Sequence, residues 1–247
     1  MGSKKNKGKT CVYCGVAPST TGDHVIAREF FPKDARDNLP KVPACAKCNF
    51  DKSKLEHYLL TLLPIGGRHE GALAAITDQV VPRLAKNAAL DRTLAAGQRP
   101  FFVLDEGRPW QAWVATPLDV TKLTDLACFI AVGLASYHWQ IQLMPRARAD
   151  ARRLTEKGRT MMAADLAGPA AGARVERNLG NGVFYYQGAY QRTNPMQTIW
   201  EMSFFGGVEI GPMNMSGEST RSVTVVTSDR PDWLARFPDR KIGGGQK

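Results

Sequence analysis

The spacing of apolar positions changes along the 247-residue chain, and each change marks an expected element. Thr21-Gly22-Asp23-His24-Val25-Ile26 reads as a short strand, and Ala46 to Leu60 has helical spacing. Pro64-Ile65-Gly66-Gly67 ends that helix and is the expected hinge. Between residues 70 and 96, Leu73, Ile76, Val80, Leu84 and Leu90 or Leu94 recur at core spacing, which predicts helix. Phe101 to Leu104 and Trp110 to Ala115 flank Asp105-Glu106-Gly107-Arg108-Pro109, so a hairpin with a loop longer than two residues is expected. Thr116-Pro117-Leu118-Asp119 caps a long helix running toward Met144, too apolar all round to be exposed, and hence the expected core of a second domain.

Arg146, Arg148, Arg152, Arg153, Lys157 and Arg159 follow; placed on a helix they would not form one stripe, so a solvated surface helix competes with a DNA-contacting one. The Ala/Gly/Pro-rich run from Gly168 to Gly172 breaks the helical pattern. Strand signals then cover Val183 to Tyr186, Thr198 to Phe205, Val208 to Ile210 and Val223 to Thr227, with Gly206-Gly207 as a hairpin turn. Phe184, Tyr185, Tyr186, Tyr190, Trp200, Phe204 and Phe205 are expected in the core more than as base-stacking platforms. The fold class that results is α+β.

Charge sharpens this picture. The formal net charge is +10, and residues 1 to 60 carry half of that excess, with 11 Lys/Arg against 6 Asp/Glu. Such a field attracts polyanions. Lys4, Lys5, Lys7 and Lys9 read as a basic flexible arm over residues 1–10, or as a solvated tail or cloning scar. The longest apolar run is about half of what a membrane span requires, so no membrane association is expected. No Walker A loop, dinucleotide fingerprint or internal repeat is found.

The chemistry lies near the N-terminus. Cys11-x2-Cys14 and Cys45-x2-Cys48 enclose a loop of 30 residues. Two such knuckles supply the four tetrahedral thiolates of a structural Zn2+ site. Two disulfides are the alternative, but MGSKKNKGKT contains no signal-like apolar stretch, and a cytoplasmic location is expected. Cys128 lies in an apolar run and reads as a small buried hydrophobe. Asp23 and His24 are neighbours on a strand and cannot share one task, so a carboxylate holding a divalent cation and an imidazole accepting a proton from water is the natural division. Asn49, directly after Cys48, offers a neutral oxygen, and one carboxylate plus one neutral oxygen suits Mg2+ or Mn2+.

At Cys11-x2-Cys14, Asp23-His24-Val-Ile, Asn38-Leu39-Pro40 and Cys45-x2-Cys48-Asn49-x2-Lys52 the chain resembles the HNH endonucleases, the ββα-metal nucleases. The resemblance implies a zinc-stapled ββα-metal module over residues 11–62, with His24 as general base, Asp23 and Asn49 on the catalytic cation, and Asn38 bracing the loop that orients His24. Many members have histidine where Asn49 stands. It also implies metal-dependent hydrolysis of DNA, with RNA left open, one strand cut per site and two protomers or two events for a double-strand break.

The rest of the chain is assigned to an α+β recognition or partner-docking domain over residues 68–228 and a tail over 229–247. Lys52, Lys54 and Lys9 are candidate phosphate contacts, or solvated cations. His57 lies at i+8 from Asn49, near the metal's side of the helix or simply on its surface. His69 and His138 are expected to be structural. Two rival functions stand beside the free nuclease: a catalytically silent zinc adaptor for nucleic acid, and the nuclease subunit of a phage-defence, restriction or mobile-element assembly.

Overall fold

The computed structural model of the chain describes residues 6–103, 111–142, 148–152, 156–208 and 221–230. It is an α+β fold, as the sequence pattern predicts. Strand β1 (Thr21–His24) pairs antiparallel with β2 (Lys41–Ala44), setting His24 opposite Lys41 and Asp23 opposite Val42. Two short 3-10 turns, at Arg28–Phe30 and Lys33–Ala35, carry the chain between them. Helix α1 (Ala46–Leu62) starts at once after β2, with Cys45 as its N-cap: the Cys45 sulfur accepts from the Cys48 amide at 3.4 Å. Of the expected basic arm, residues 1–5 lie outside the described residues. Residues 6–10 run beside 18–19: Ser19 N–H donates to Lys9 O at 2.7 Å, and Gly8 N–H to Ser19 O at 3.0 Å.

The segment at the expected hinge is pinned to the rest of the fold. Leu63 and Pro64 are buried, and the amides of Arg68 and His69 both donate to Phe205 O, at 2.8 and 3.0 Å. The helical stretch that follows is broken into α2 (Glu70–Ala75), a π turn (Ile76–Val80), α3 (Val81–Lys86) and α4 (Ala88–Gly97). Its expected core phase needs one correction: Leu73 is 69% exposed, while Ala72, Ala75, Val80 and Leu94 are buried. His69 begins α2 by accepting the Gly71 amide at its Nδ1, a structural role. The expected hairpin forms as β3 (Arg99–Val103) with β4 (Gln111–Ala115), its loop lying outside the described residues.

Helix α5 (Val120–Trp139) is the centre of the molecule. Asp119 caps it, accepting from the amides of Thr121 and Lys122, and Met144 lies outside the described residues. This helix is long and apolar enough to cross a membrane, which corrects the expectation that no such stretch exists. Its apolar side chains are spent inside the protein: Leu123, Leu126, Ala127, Ile130, Ala131 and Leu134 are fully buried.

Beyond α5 come β5 (Arg148–Arg152), α6 (Glu156–Ala167), β6 (Ala171–Leu179), β7 (Phe184–Gln191), β8 (Asn194–Phe204) and β9 (Val223–Ser228). The five strands form one antiparallel sheet in the order β5-β9-β8-β7-β6. Two expectations fail here. Arg148 and Arg152, expected on a helix, lie on edge strand β5, whereas Lys157 and Arg159 do lie on α6; Arg146 and Arg153 are outside the described residues. Gly206-Gly207 is no hairpin turn into a strand at 208: β8 pairs with β7 and β9, and Gly206 instead donates to Gly182 O at 3.0 Å. Ile210 lies outside the described residues.

One apolar core spans both halves of the chain. It joins Val25, Ile26, Phe30, Phe31, Val42 and Leu59 to α5 and to Phe184, Trp200, Phe204 and Phe205 of the sheet. Trp139, at the end of α5, stacks on Trp200 with centroids 4.7 Å apart, and His138 meets the Tyr186 hydroxyl at 2.8 Å. The sheet aromatics serve packing: Phe184, Tyr186, Trp200, Phe204 and Phe205 are buried, and Tyr185 and Tyr190 half-buried. Gly133 lets α5 approach the segment that follows β1. A Cβ there would fall 2.9 Å from Val25 Cγ1, one residue beyond His24.

Candidate metal centre and basic cleft

The thiol sulfurs of Cys11, Cys14, Cys45 and Cys48 all lie within 4.8 Å of one another. Four thiolates at about 2.3 Å around one zinc ion stand roughly 3.8 Å apart, so this cluster can hold a metal ion of that kind. Backbone amides support the sulfurs, with Ala17 N–H on Cys14 Sγ at 3.4 Å. Burial raises the Cys11 and Cys48 thiols, whereas at Cys14 burial is outweighed by the backbone donors of Ala17 and Val16 together with Cys11 and Cys48, which bring the value to about 7; a bound metal would have to deprotonate the first two. Cys128 is half-buried against the apolar core, apart from this cluster.

The cysteines join the loop before β1 to the start of α1, and so set the helix against the strand. The consequence is seen at Asp23. Its Oδ2 accepts the Tyr13 hydroxyl at 2.6 Å and lies 3.0 Å from Lys52 Nζ. Lys52 also donates to the His24 carbonyl at 2.8 Å and pairs with Glu56 Oε1. Lys52 is 0% exposed, which corrects its reading as a phosphate contact. Burial raises the Glu56 carboxyl to about 7 against the opposing pull of Lys52. Burial, then the charge of Asp23, keeps the Tyr13 hydroxyl protonated and donating.

His24 turns to a different environment. Its half-buried ring lines a cleft of about 360 Å³ with Arg28, Arg36, Asp37, Asn38, Leu39 and Lys41. Asp23, bound to Tyr13 and Lys52, is not among the lining residues. Desolvation, then the positive charges of Lys41 and Arg28, lower the His24 pKa to about 4, so the ring is neutral at physiological pH. Asn38 stands in this wall with φ +57°, a left-handed conformation that asparagine tolerates, in the turn leading to β2. Across that turn the Val25 amide donates to Pro40 O at 2.9 Å, closing the β1–β2 ladder beside His24.

Comparison of the chain with protein families, curated proteins and solved structures returns no match. Asn49 is half-buried on the first turn of α1 and lies three residues before Lys52, on one helix face with it. The Tyr13 hydroxyl and the Lys52 ammonium both meet Asp23 at Oδ2. A carboxylate oxygen and an amide oxygen are donor types that suit Mg2+ or Mn2+, and the Lys52 ammonium is a competing charge at Asp23. His57 is exposed on α1. Lys54 and Lys9 are exposed, Lys54 lying 4.1 Å above the Phe50 ring.

Arg28, Arg36 and Lys41 are the residues that sequence motifs do not single out. The register of β1 with β2 brings Lys41 to His24, and the irregular turns between the strands bring the two arginines. The signal present in the sequence is composition: the loop between the knuckles contains four Lys/Arg, at 28, 33, 36 and 41, spread without a period.

Proposed function

We propose that this protein is an endonuclease of the ββα-metal kind, stapled by a structural zinc ion on Cys11, Cys14, Cys45 and Cys48 and hydrolysing phosphodiester bonds in DNA. One observation carries the reading: His24, beside Asp23 on β1, lines a cleft walled by Arg28, Arg36 and Lys41, where burial and then the charges of Lys41 and Arg28 lower its pKa. A neutral imidazole accepts a proton, and guanidinium groups bind phosphate oxygens in a fixed geometry.

In this mechanism Arg28, Arg36 and Lys41 hold the scissile phosphate and offset its charge. Burial, then the charges of Lys41 and Arg28, keep His24 neutral in the free protein, and a phosphate bound among those cations offsets their pull on the ring as it accepts a proton from the attacking water. Asn38 shapes the wall on the β2 side. Asp23 and Asn49 would hold Mg2+ or Mn2+, which when bound supplies charge to the phosphate and the leaving oxygen. Tyr13 and Lys52 fix the Asp23 carboxylate that would do so.

The test is supercoiled plasmid incubated with zinc-loaded protein in Mg2+ or Mn2+, beside EDTA. Nicked circles that appear only with the divalent ion support the reading. A zinc-loaded protein that binds plasmid but never nicks it favours the silent adaptor instead.

A further inference from the structure

Lys52 is the unexpected group in this molecule. On α1 it lies in phase with Leu59, Leu60 and Leu63, all buried, so its ammonium enters the interior where the helix pattern calls for an apolar side chain. Glu56 is in the same phase and is also buried. Taking such charges out of water is costly, and a well-packed apolar replacement of the whole cluster often serves the fold as well. What the ammonium does is specific. It reaches two consecutive residues of β1, the Asp23 carboxylate at 3.0 Å and the His24 carbonyl at 2.8 Å, while Glu56 holds it from its own helix. The cysteine cluster fixes the start of α1 one turn before, so Lys52 ties the second knuckle to the strand as Tyr13 ties the first.

We propose that Lys52 is a positioning residue of the nuclease site: its ammonium clamps Asp23 and His24 in place and, by its charge, weakens the binding of a divalent cation beside Asp23. The proposal rests on the nuclease reading above. Orientation and affinity are thus opposed at one atom, Nζ, which holds the carboxylate through Oδ2 and repels any cation arriving at Asp23. Removing the ammonium leaves two carboxylates, Asp23 and Glu56, facing the position it occupied.

This gives a signature that simple damage to the fold does not produce. In the zinc-loaded full chain, Lys52→Met is expected to tighten Mn2+ binding, read by electron paramagnetic resonance titration, by about tenfold. Plasmid nicking at saturating Mn2+ falls by roughly 10–100-fold, with zinc content unchanged. Mn2+ affinity and nicking that both fall, or that both stay at wild-type values, overturn the proposal. Lys52→Gln, which keeps donor hydrogens without the charge, is read in the same way should Lys52→Met not retain zinc. Loss of zinc and fold in both variants also overturns it, since Lys52 would then be a folding element only. A wild-type protein that nicks nothing counts against the nuclease reading alone, because Mn2+ affinity is measured without turnover.

Discussion

The two sides of β1 have opposite characters. Asp23 faces a closed, charge-balanced interior of Tyr13, Lys52 and Glu56, whereas His24 faces an open cleft whose cations exceed its anions. Adjacent strand residues point apart, so one strand serves both environments without a break in its backbone. On the closed side Tyr13 and Lys52 hold Asp23 through Oδ2 and Glu56 holds Lys52, whereas the open side has three cations facing one carboxylate.

The contrast can be broken most severely at the staple. Stripping the metal from the four cysteines, or replacing Cys48 with Ser, is expected to release α1 from β1 and lower the melting temperature on the order of 10 °C. Thermal melts with zinc quantified alongside check this, and an unchanged melt would mean that the apolar core alone holds the strand. Trp200→Ala acts on the other half of the molecule, removing the ring on which Trp139 stacks. It should cost about 3–5 kcal/mol in denaturant unfolding, while nicking per folded molecule in the cold keeps its wild-type rate. A large loss of specific activity would show the sheet to be more closely coupled to the site than the packing implies.

Gly133→Ala is a milder probe placed between the two. Its methyl group meets the stiff Val25 side chain, and about 1–3 kcal/mol of overpacking outweighs the roughly 1 kcal/mol of helix propensity gained. Chemical denaturation should give a net loss, and a stabilised variant would show that α5 can shift. The smallest effect concerns Glu56, whose folded pKa of about 7 stands above its ordinary 4.5. The folded state therefore holds the extra proton, and this contribution is present below pH 4.5 and lost as the pH rises through about 7. In Glu56→Gln the loss is absent, so melting temperatures should move in the variant's favour between pH 5 and pH 8, by a few degrees at most, about what 1 kcal/mol yields. The opposite drift would mean that Lys52 holds the carboxylate ionised throughout.

The closed side was partly legible in the sequence and the open side hardly at all. The cysteine spacing and the Asp23-His24 pair are local motifs, and helical phase alone puts Lys52 and Glu56 in line with Leu59, Leu60 and Leu63. What obscures that signal is the default that lysines are solvated, which holds only while no carboxylate waits inside. The cleft is assembled from irregular turns, which have no period to read, and from the register of β1 on β2. The sheet shows the same limit. Alternation located β7, β8 and β9, but β6 escaped because its exposed, charged positions outnumber its buried ones. The β5–β9 pairing joins Arg148 to Ser228 across most of the second half of the chain, and no local pattern encodes it.

His24 carries the central claim, and its ring offers the most direct test. Initial rates of plasmid nicking should be compared for wild type and His24→Ala at matched zinc content, and for wild type at pH 7 and pH 5.5. A neutral ring with a pKa of about 4 predicts wild-type rates at the two pH values within about twofold of each other, against an almost tenfold fall for an ordinary histidine. The alanine variant should lose roughly 100-fold or more. Equal rates for His24→Ala and wild type would contradict the account outright.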